Sequence, residues 1–155
     1  MTLHEQWMKQ ALREAERAYE QDEVPVGAVV VYEGKVIGRG HNQIERLQDP
    51  TAHAEMIALT AASNHLQSRR LEGCAIYVTL EPCPMCAGAI VLSRVSTLVF
   101  AAHDPKAGAC GTLFNIVNDR RLNHNPHVIS GVCDSESERL LKGFFGRVRR
   151  VPTKE

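Results

Sequence analysis

The sequence predicts an α/β fold, a three-layer α/β/α sandwich around a mixed central sheet of about five strands. Three observations carry that expectation. An amphipathic helical stretch opens the chain, two short β-rich runs follow around a turn, and strand-like runs then alternate with helical ones. At 155 residues the chain is long enough for one domain and short for two. No linker, repeat or low-complexity segment divides it, so residues 1–155 are expected to form one domain.

Thr2 and Glu5 stand at the spacing of a capping box. Behind them Trp7, Met8, Ala11, Leu12, Ala15, Ala18 and Tyr19 recur at helical intervals, which reads as a helix with one buried stripe. After DEVPVG, the runs AVVVY and VIGRGH flank EGK and read as a hairpin around a glycine-containing turn. NQIERLQDP is expected to be a loop, and a helix is expected from about Ala52 to Leu66. CAIYVTL, Cys74 to Leu80, is a continuous apolar run suited to a central strand, stopped by Glu81-Pro82. Pro84 suits the first position of a helix, where its missing N–H costs nothing, and that helix should reach about Ser93. TLVFAA is the next strand, HDPKAGACG a loop and HVISGV a last strand. Ser135 with Glu138 opens a final helix that runs through the basic residues.

Composition excludes several classes. No apolar run approaches the roughly 20 residues of a membrane span. The N-terminal stretch MTLHEQWMKQALREAERAYE is charged throughout and does not resemble a signal peptide, so a cytoplasmic protein is expected. An odd count of five cysteines (Cys74, Cys83, Cys86, Cys110 and Cys133) argues against a disulfide framework. The 18 basic and 18 acidic residues give a formal net charge of zero, without the overall basic footprint of many nucleic-acid binders. The distribution is less even: GRVRRVPTK carries Arg147, Arg149, Arg150 and Lys154 with no acid among them. A solvated tail is the plain explanation of such a run.

The chemistry-bearing residues are His53-Ala54-Glu55 and Cys83-Pro84-Met85-Cys86. A lone Cys-x-x-Cys serves as half of a structural zinc site or as a redox pair. A structural zinc normally takes four protein ligands, and Cys74, Cys110 and Cys133 supply no second pair. The strand-then-helix placement leaves the redox reading open. His53 with Cys83 and Cys86 makes three ligands and an open fourth position, the arrangement of catalytic zinc. Both ligand sets sit at expected helix starts, where the dipole favours thiolates. Zinc brings the pKa of a bound water to about 7, and Glu55 then serves as a proton shuttle rather than a ligand. Residues two apart on a regular helix diverge, so His53 is expected in the first turn, with the site reaching across it. Singly, such a His is usually a cap and such a Glu is usually solvated. Jointly they form the His-x-Glu and Pro-Cys-x-x-Cys signature of the zinc nucleobase deaminases.

Further stretches extend that match: EVPVGAV from Glu23, GHN from Gly40, DPTAHAE, YVTLEPC, DPKAGACG from Asp104 and FFGRVRR from Phe144. Over nearly its whole length the chain resembles the bacterial tRNA-specific adenosine deaminases, of the cytidine deaminase-like superfamily. Several of these stretches are shared with cytosine and guanine deaminases; the Asp-x-Lys-x-Gly loop and the Phe-Phe helix with its arginines point to the tRNA enzymes. The resemblance implies a cytidine deaminase-like fold and hydrolytic deamination of adenosine to inosine at the tRNA wobble position, typically in a tRNA for arginine. It implies one Zn2+ per subunit on His53, Cys83 and Cys86. Glu55 would pass a proton from the activated water to N1 of adenine while hydroxide attacks C6 and ammonia leaves.

By the same resemblance Asn42 hydrogen-bonds the flipped base, its amide offering both a donor and an acceptor. Asp104 and Lys106 contact flanking nucleotides. Phe145 lines the entry or stacks on a base, while periodicity asks that one of Phe144 and Phe145 be core. Arg149 and its neighbours meet phosphates, which give affinity rather than sequence information. The partner is the tRNA anticodon arm, and a homodimer is implied in which each site borrows surface from the other copy. His103 stands where relatives often carry arginine, which weakens one phosphate contact, and Cys110 is read as a small neutral residue. His4, His41, His65, His124 and His127 are expected to be structural or exposed. Two alternatives stand beside this reading. A free nucleobase deaminase acting on guanine or cytosine fits the neutral charge. A non-catalytic, zinc-stabilised RNA-binding subunit is the other, and Glu55 speaks against it.

Overall fold

The structure is a computed structural model that describes residues 1–150, apart from the side chains of Arg149 and Arg150. Its elements in chain order are α1 (Leu3–Glu20), β1 (Gly27–Tyr32), β2 (Lys35–His41), α2 (Ile44–Leu47), α3 (Ala54–Leu66), β3 (Ala75–Leu80), α4 (Pro84–Ser93), β4 (Thr97–Ala102), a short 3-10 turn (Ile116–Asn118), β5 (His127–Ile129) and α5 (Asp134–Arg150). The capping box at the start of α1 forms as expected. Thr2 Oγ1 accepts the Glu5 N–H at 3.1 Å, and the Glu5 carboxylate accepts the Thr2 N–H at 3.1 Å.

The strands form one five-stranded sheet in the order β2-β1-β3-β4-β5. β1 pairs antiparallel with β2 and β3, while β3–β4 and β4–β5 are parallel, so the sheet is mixed as predicted. Alternation along the strands sorts side chains between two apolar layers. Val29, Val31, Tyr77, Val99 and Ala101 pack with Met8, Ala11 and Leu12 of α1 and with Leu140 of α5. Ala28, Val30, Ile76, Val78, Leu98 and Phe100 pack with Ala58 and Ala62 of α3 and Ala87 and Ile90 of α4. Helices therefore cover both faces, which is the three-layer sandwich.

Strand directions fix where chemistry belongs. β2, β3 and β4 all run the same way, so their C-terminal ends open at one edge of the sheet. His41-Asn42, Glu81-Pro82-Cys83 and His103-Asp104 follow those ends. Such an edge is where α/β sheets bind ligands. Gly40 lets α3 reach it: a Cβ there would lie 2.3 Å from the Ala54 carbonyl oxygen, so only glycine allows the first turn of α3 to rest on β2.

Four details differ from expectation. The segment NQIERLQDP is not all loop but contains α2, whose first N–H groups, of Glu45 and Arg46, donate to the buried Glu23 carboxylate at 3.1 and 2.8 Å. That acceptor is distant in sequence, so local pattern does not announce the turn. α3 begins at Ala54 rather than Ala52, because His53 is its extended N-cap. β5 stops at Ile129, short of the left-handed Gly131. α5 begins at Asp134, one residue before Ser135. Among the described residues no helix is long and apolar enough to cross a membrane.

Candidate metal centre and active site

His53 occupies the N-cap of α3 with extended backbone, φ −79° and ψ 150°. This resolves the divergence problem in a way the sequence reading did not foresee. His53 lies just outside the first turn, so its ring is not bound to helical geometry, and it can share a pocket with Glu55 two residues on. Cys83 is the N-cap of α4, Pro84 fills the first helical position, and Cys86 lies in the first turn. The two helix starts face each other. His53 Nδ1 lies 3.6 Å from Cys83 Sγ and 3.5 Å from Cys86 Sγ, and all three donor atoms lie within 4.8 Å of one another.

These residues fit a zinc ion. A tetrahedral site with Zn–S near 2.3 Å and Zn–N near 2.1 Å separates its N and S donors by about 3.6 Å. The two N···S distances agree with that. Charge leads to the same conclusion. The Cys86 thiol donates to Cys83, and that hydrogen bond, opposed by burial and aided by His53, brings the Cys83 thiol down to about 4. Cys86 is pushed up in turn, by that same hydrogen bond to Cys83, by its burial and by Glu55. A second thiolate beside Cys83 and Glu55 is thus disfavoured unless a cation balances it, which a divalent ion on three soft or borderline donors does.

Glu55 lies in the first turn of α3 and is 4% exposed. Burial pushes its carboxyl up to about 7, against the opposing pull of its own backbone N–H and of His53. A carboxyl poised near neutrality, beside the donor set but outside it, has the character of a general acid and base.

Asn42 follows the end of β2 and is buried, 7% exposed. Its Oδ1 accepts the Ala54 N–H at 2.9 Å, satisfying an orphan donor at the start of α3. The backbone donor fixes which amide atom is oxygen. One lone pair of the acceptor is therefore already engaged, and the Nδ2 donors are the half of the amide without a partner in the protein.

The loop after β4 runs over the Cys83 turn, with the Ala109 N–H donating to the Pro82 carbonyl at 2.9 Å. Asp104 turns its carboxylate back on the loop, accepting the N–H groups of Lys106 at 2.9 Å and Ala107 at 3.3 Å, and Lys106 is exposed. Sequence reasoning missed Glu81. It is fully buried at the end of β3, and its carboxylate accepts the N–H groups of Asp104 at 3.0 Å, Cys110 at 3.0 Å and Thr112 at 3.1 Å, together with the Thr112 hydroxyl. Burial would raise its carboxyl, but these donors outweigh it and hold Glu81 below the usual range. The only signal in the sequence was a charged residue placed directly after an apolar strand.

At the C-terminal end of α5, Phe144 is buried against Tyr19, ring centroids 6.0 Å apart, while Phe145 is 41% exposed. Phe144 is thus the core member of the pair. Arg147 is not left to phosphates alone: it pairs with Asp22 at 2.9 Å and lies over the Tyr19 ring at 4.6 Å. The side chain of Arg149 lies outside the described residues. The structure therefore unites His53, Cys83, Cys86, Glu55 and Asn42, places the Asp104–Lys106 loop beside them, and leaves Phe145 exposed on α5.

Comparison with known proteins bears on this site. A family model described as MafB19-like deaminase matches residues 2–149. A tRNA-specific adenosine deaminase of Bacillus subtilis is 51% identical over 150 residues, covering 97% of this chain and 93% of that protein. A solved structure from work on A-to-I editing by tRNA:A34 deaminases at the wobble position superposes with a TM-score of 0.85 at 45% identity, covering 88% of this chain and 99% of that one. A structure of a guanine deaminase from Nitrosomonas europaea superposes at 0.82 with 24% identity, over 94% of this chain and 86% of that one, which is likeness of fold. The chain belongs to the family of tRNA-specific adenosine deaminases and has the cytidine deaminase-like fold.

Proposed function

We propose that this protein converts adenosine to inosine at the wobble position of tRNA by hydrolytic deamination. The observation that carries the reading is the pairing of the His53–Cys83–Cys86 donor set with a buried Glu55 whose carboxyl sits near 7, in a chain about half identical to a tRNA adenosine deaminase over nearly its full length.

His53, Cys83 and Cys86 would hold one zinc per chain. When bound, zinc supplies a Lewis acid that brings the pKa of water to about 7. Glu55 accepts a proton from the attacking water and delivers it to N1 of adenine as the oxygen adds to C6. It then carries the second proton to the amino group, the C6–N6 bond breaks, and ammonia leaves with inosine as product. Water and adenosine are thus accounted for without a redox partner. Asn42 donates from Nδ2 to the base edge while its Oδ1 holds α3 in place. The base must leave its stack to reach a site this buried, which favours an unpaired anticodon nucleotide.

Lys106 and the Asp104 turn receive the nucleotides beside the target, and Phe145 offers a face for a base. The enzyme works in the cytoplasm as a homodimer on the anticodon arm. α4 supports the dimer: its sequence PMCAGAIVLS has no charge on any face, yet Leu92 is 79% exposed. A helix apolar all round belongs under cover.

The test is a panel of substrates given to zinc-loaded protein: an anticodon stem-loop with wobble adenosine, free adenosine, guanine and cytosine, with products read by mass. Inosine from the stem-loop alone is expected. Turnover of a free base with an untouched stem-loop would assign the protein to nucleobase deamination instead. No turnover of any substrate would leave the binding-subunit reading.

A further inference from the structure

We propose that Glu81 is a positioning residue, which fixes the substrate-facing loop 103–112 in register with the metal ligands. The inference rests on the functional reading above, in which that loop meets RNA. Glu81 brings together three things the loop needs. Its Oε1 accepts the Asp104 N–H and the Thr112 hydroxyl, with His103 Nδ1 at 3.4 Å. Its Oε2 accepts the Cys110 and Thr112 N–H groups. The next residue, Pro82, takes the Ala109 N–H, and the one after is the ligand Cys83.

A three-residue segment therefore grips both ends of the loop and carries a metal ligand. Gly108 shows how close the approach is: a Cβ there would lie 2.5 Å from the Glu81 carboxylate. A buried carboxylate is costly unless it is well paired. Both of its oxygens are engaged here by a loop whose apolar anchorage is Ala109 and Cys110, while His103, Lys106 and Thr112 on either side of them are exposed. The Glu81 side chain is fully buried with both oxygens taken up by the loop, so its effect reaches the reaction through the placement of Asp104 and Lys106.

The variant Glu81→Gln tests this on the full zinc-loaded chain. A glutamine has one oxygen, so whichever way its amide turns, an NH2 group meets a backbone N–H. KM for the stem-loop is expected to rise about tenfold or more, with kcat and zinc content within about twofold. The amides of Asp104, Cys110 and Thr112 should exchange hydrogen faster while those of α3 and α4 do not. An unchanged KM, with kcat falling in proportion to lost zinc or lost folded protein, overturns the proposal and leaves a purely structural residue.

Thr112→Val keeps the carboxylate and stands in if Glu81→Gln does not fold. It should raise KM about threefold through the lost hydroxyl, and an unchanged KM again overturns the proposal. If the unaltered protein does not act on the stem-loop, the RNA reading fails. Hydrogen exchange at the three amides then decides the clamp alone: faster exchange in the variant supports it, and unchanged exchange overturns it.

Discussion

Replacing Asn42 separates the helix-capping role that the structure shows from the donor role proposed above. Its Oδ1 accepts the Ala54 N–H at 2.9 Å, and its Nδ2 is left to donate to substrate. Asn42→Ala removes both. The lost acceptor at a helix start costs about 0.5–2 kcal/mol of stability. The lost donor to the base costs about 1–3 kcal/mol in the transition state, or roughly tenfold to a hundredfold in kcat/KM. Asn42→Asp removes only the donor. Its carboxylate still accepts the Ala54 N–H, and a negative charge at the start of α3 is favourable to the helix. The expected pattern is therefore a destabilised, slow alanine variant and an aspartate variant that is more stable than the alanine one but equally slow. Denaturant melts and stem-loop kinetics on both proteins read it. An aspartate variant that keeps wild-type kcat/KM would refute the donor role, and one as unstable as the alanine variant would refute the helix-capping role.

Other outcomes follow from the same geometry. In metal-stripped protein, Glu55 has a folded pKa raised from 4.5 to about 7. Its neutral form is favoured in the fold, so stability should fall as pH climbs from about 4.5 to 7, by roughly 3 kcal/mol at most; Glu55→Gln should flatten that slope in melts taken across the window. With its thiol near 4, Cys83 should be alkylated by iodoacetamide at pH 5 to 6 in stripped protein and be protected once zinc is restored, as peptide mass mapping would show; equal labelling with and without zinc would contradict the ligand assignment. Gly40→Ala puts a methyl 2.3 Å from the Ala54 carbonyl, so α3 must shift; a stability loss of about 1–3 kcal/mol and weakened zinc retention are expected from melts and metal titration.

Much of this was legible in the sequence because it is local. The first four strand runs, the Thr2–Glu5 capping box and Pro84 at a helix start each depend on near neighbours, and each appears close to where the pattern puts it. The donor set was legible for another reason. Its spacing is chemically restrictive, and two helix starts had to meet for it to make sense. What stayed hidden depends on partners far apart in sequence. Nothing near Ile44 shows that Glu23 will cap α2. Nothing near Asn42 shows that its acceptor will be taken by Ala54. Glu81 holds groups 23 to 31 residues away, so its role exists only once the loop has folded over it. Arg147 reads as part of a free basic run, and only the packing of α5 on α1 reveals Asp22 and Tyr19 as its partners.

The most direct measurement of the central claim is a single turnover of a wobble-adenosine stem-loop in water enriched in heavy oxygen, run with zinc-loaded wild type and zinc-loaded Glu55→Gln. Wild type should yield inosine carrying the heavy oxygen at C6, and the variant should bind the stem-loop and retain its zinc yet form no inosine. Inosine formed by the variant at the wild-type rate would contradict the assignment of Glu55, and with it the account of how this site works.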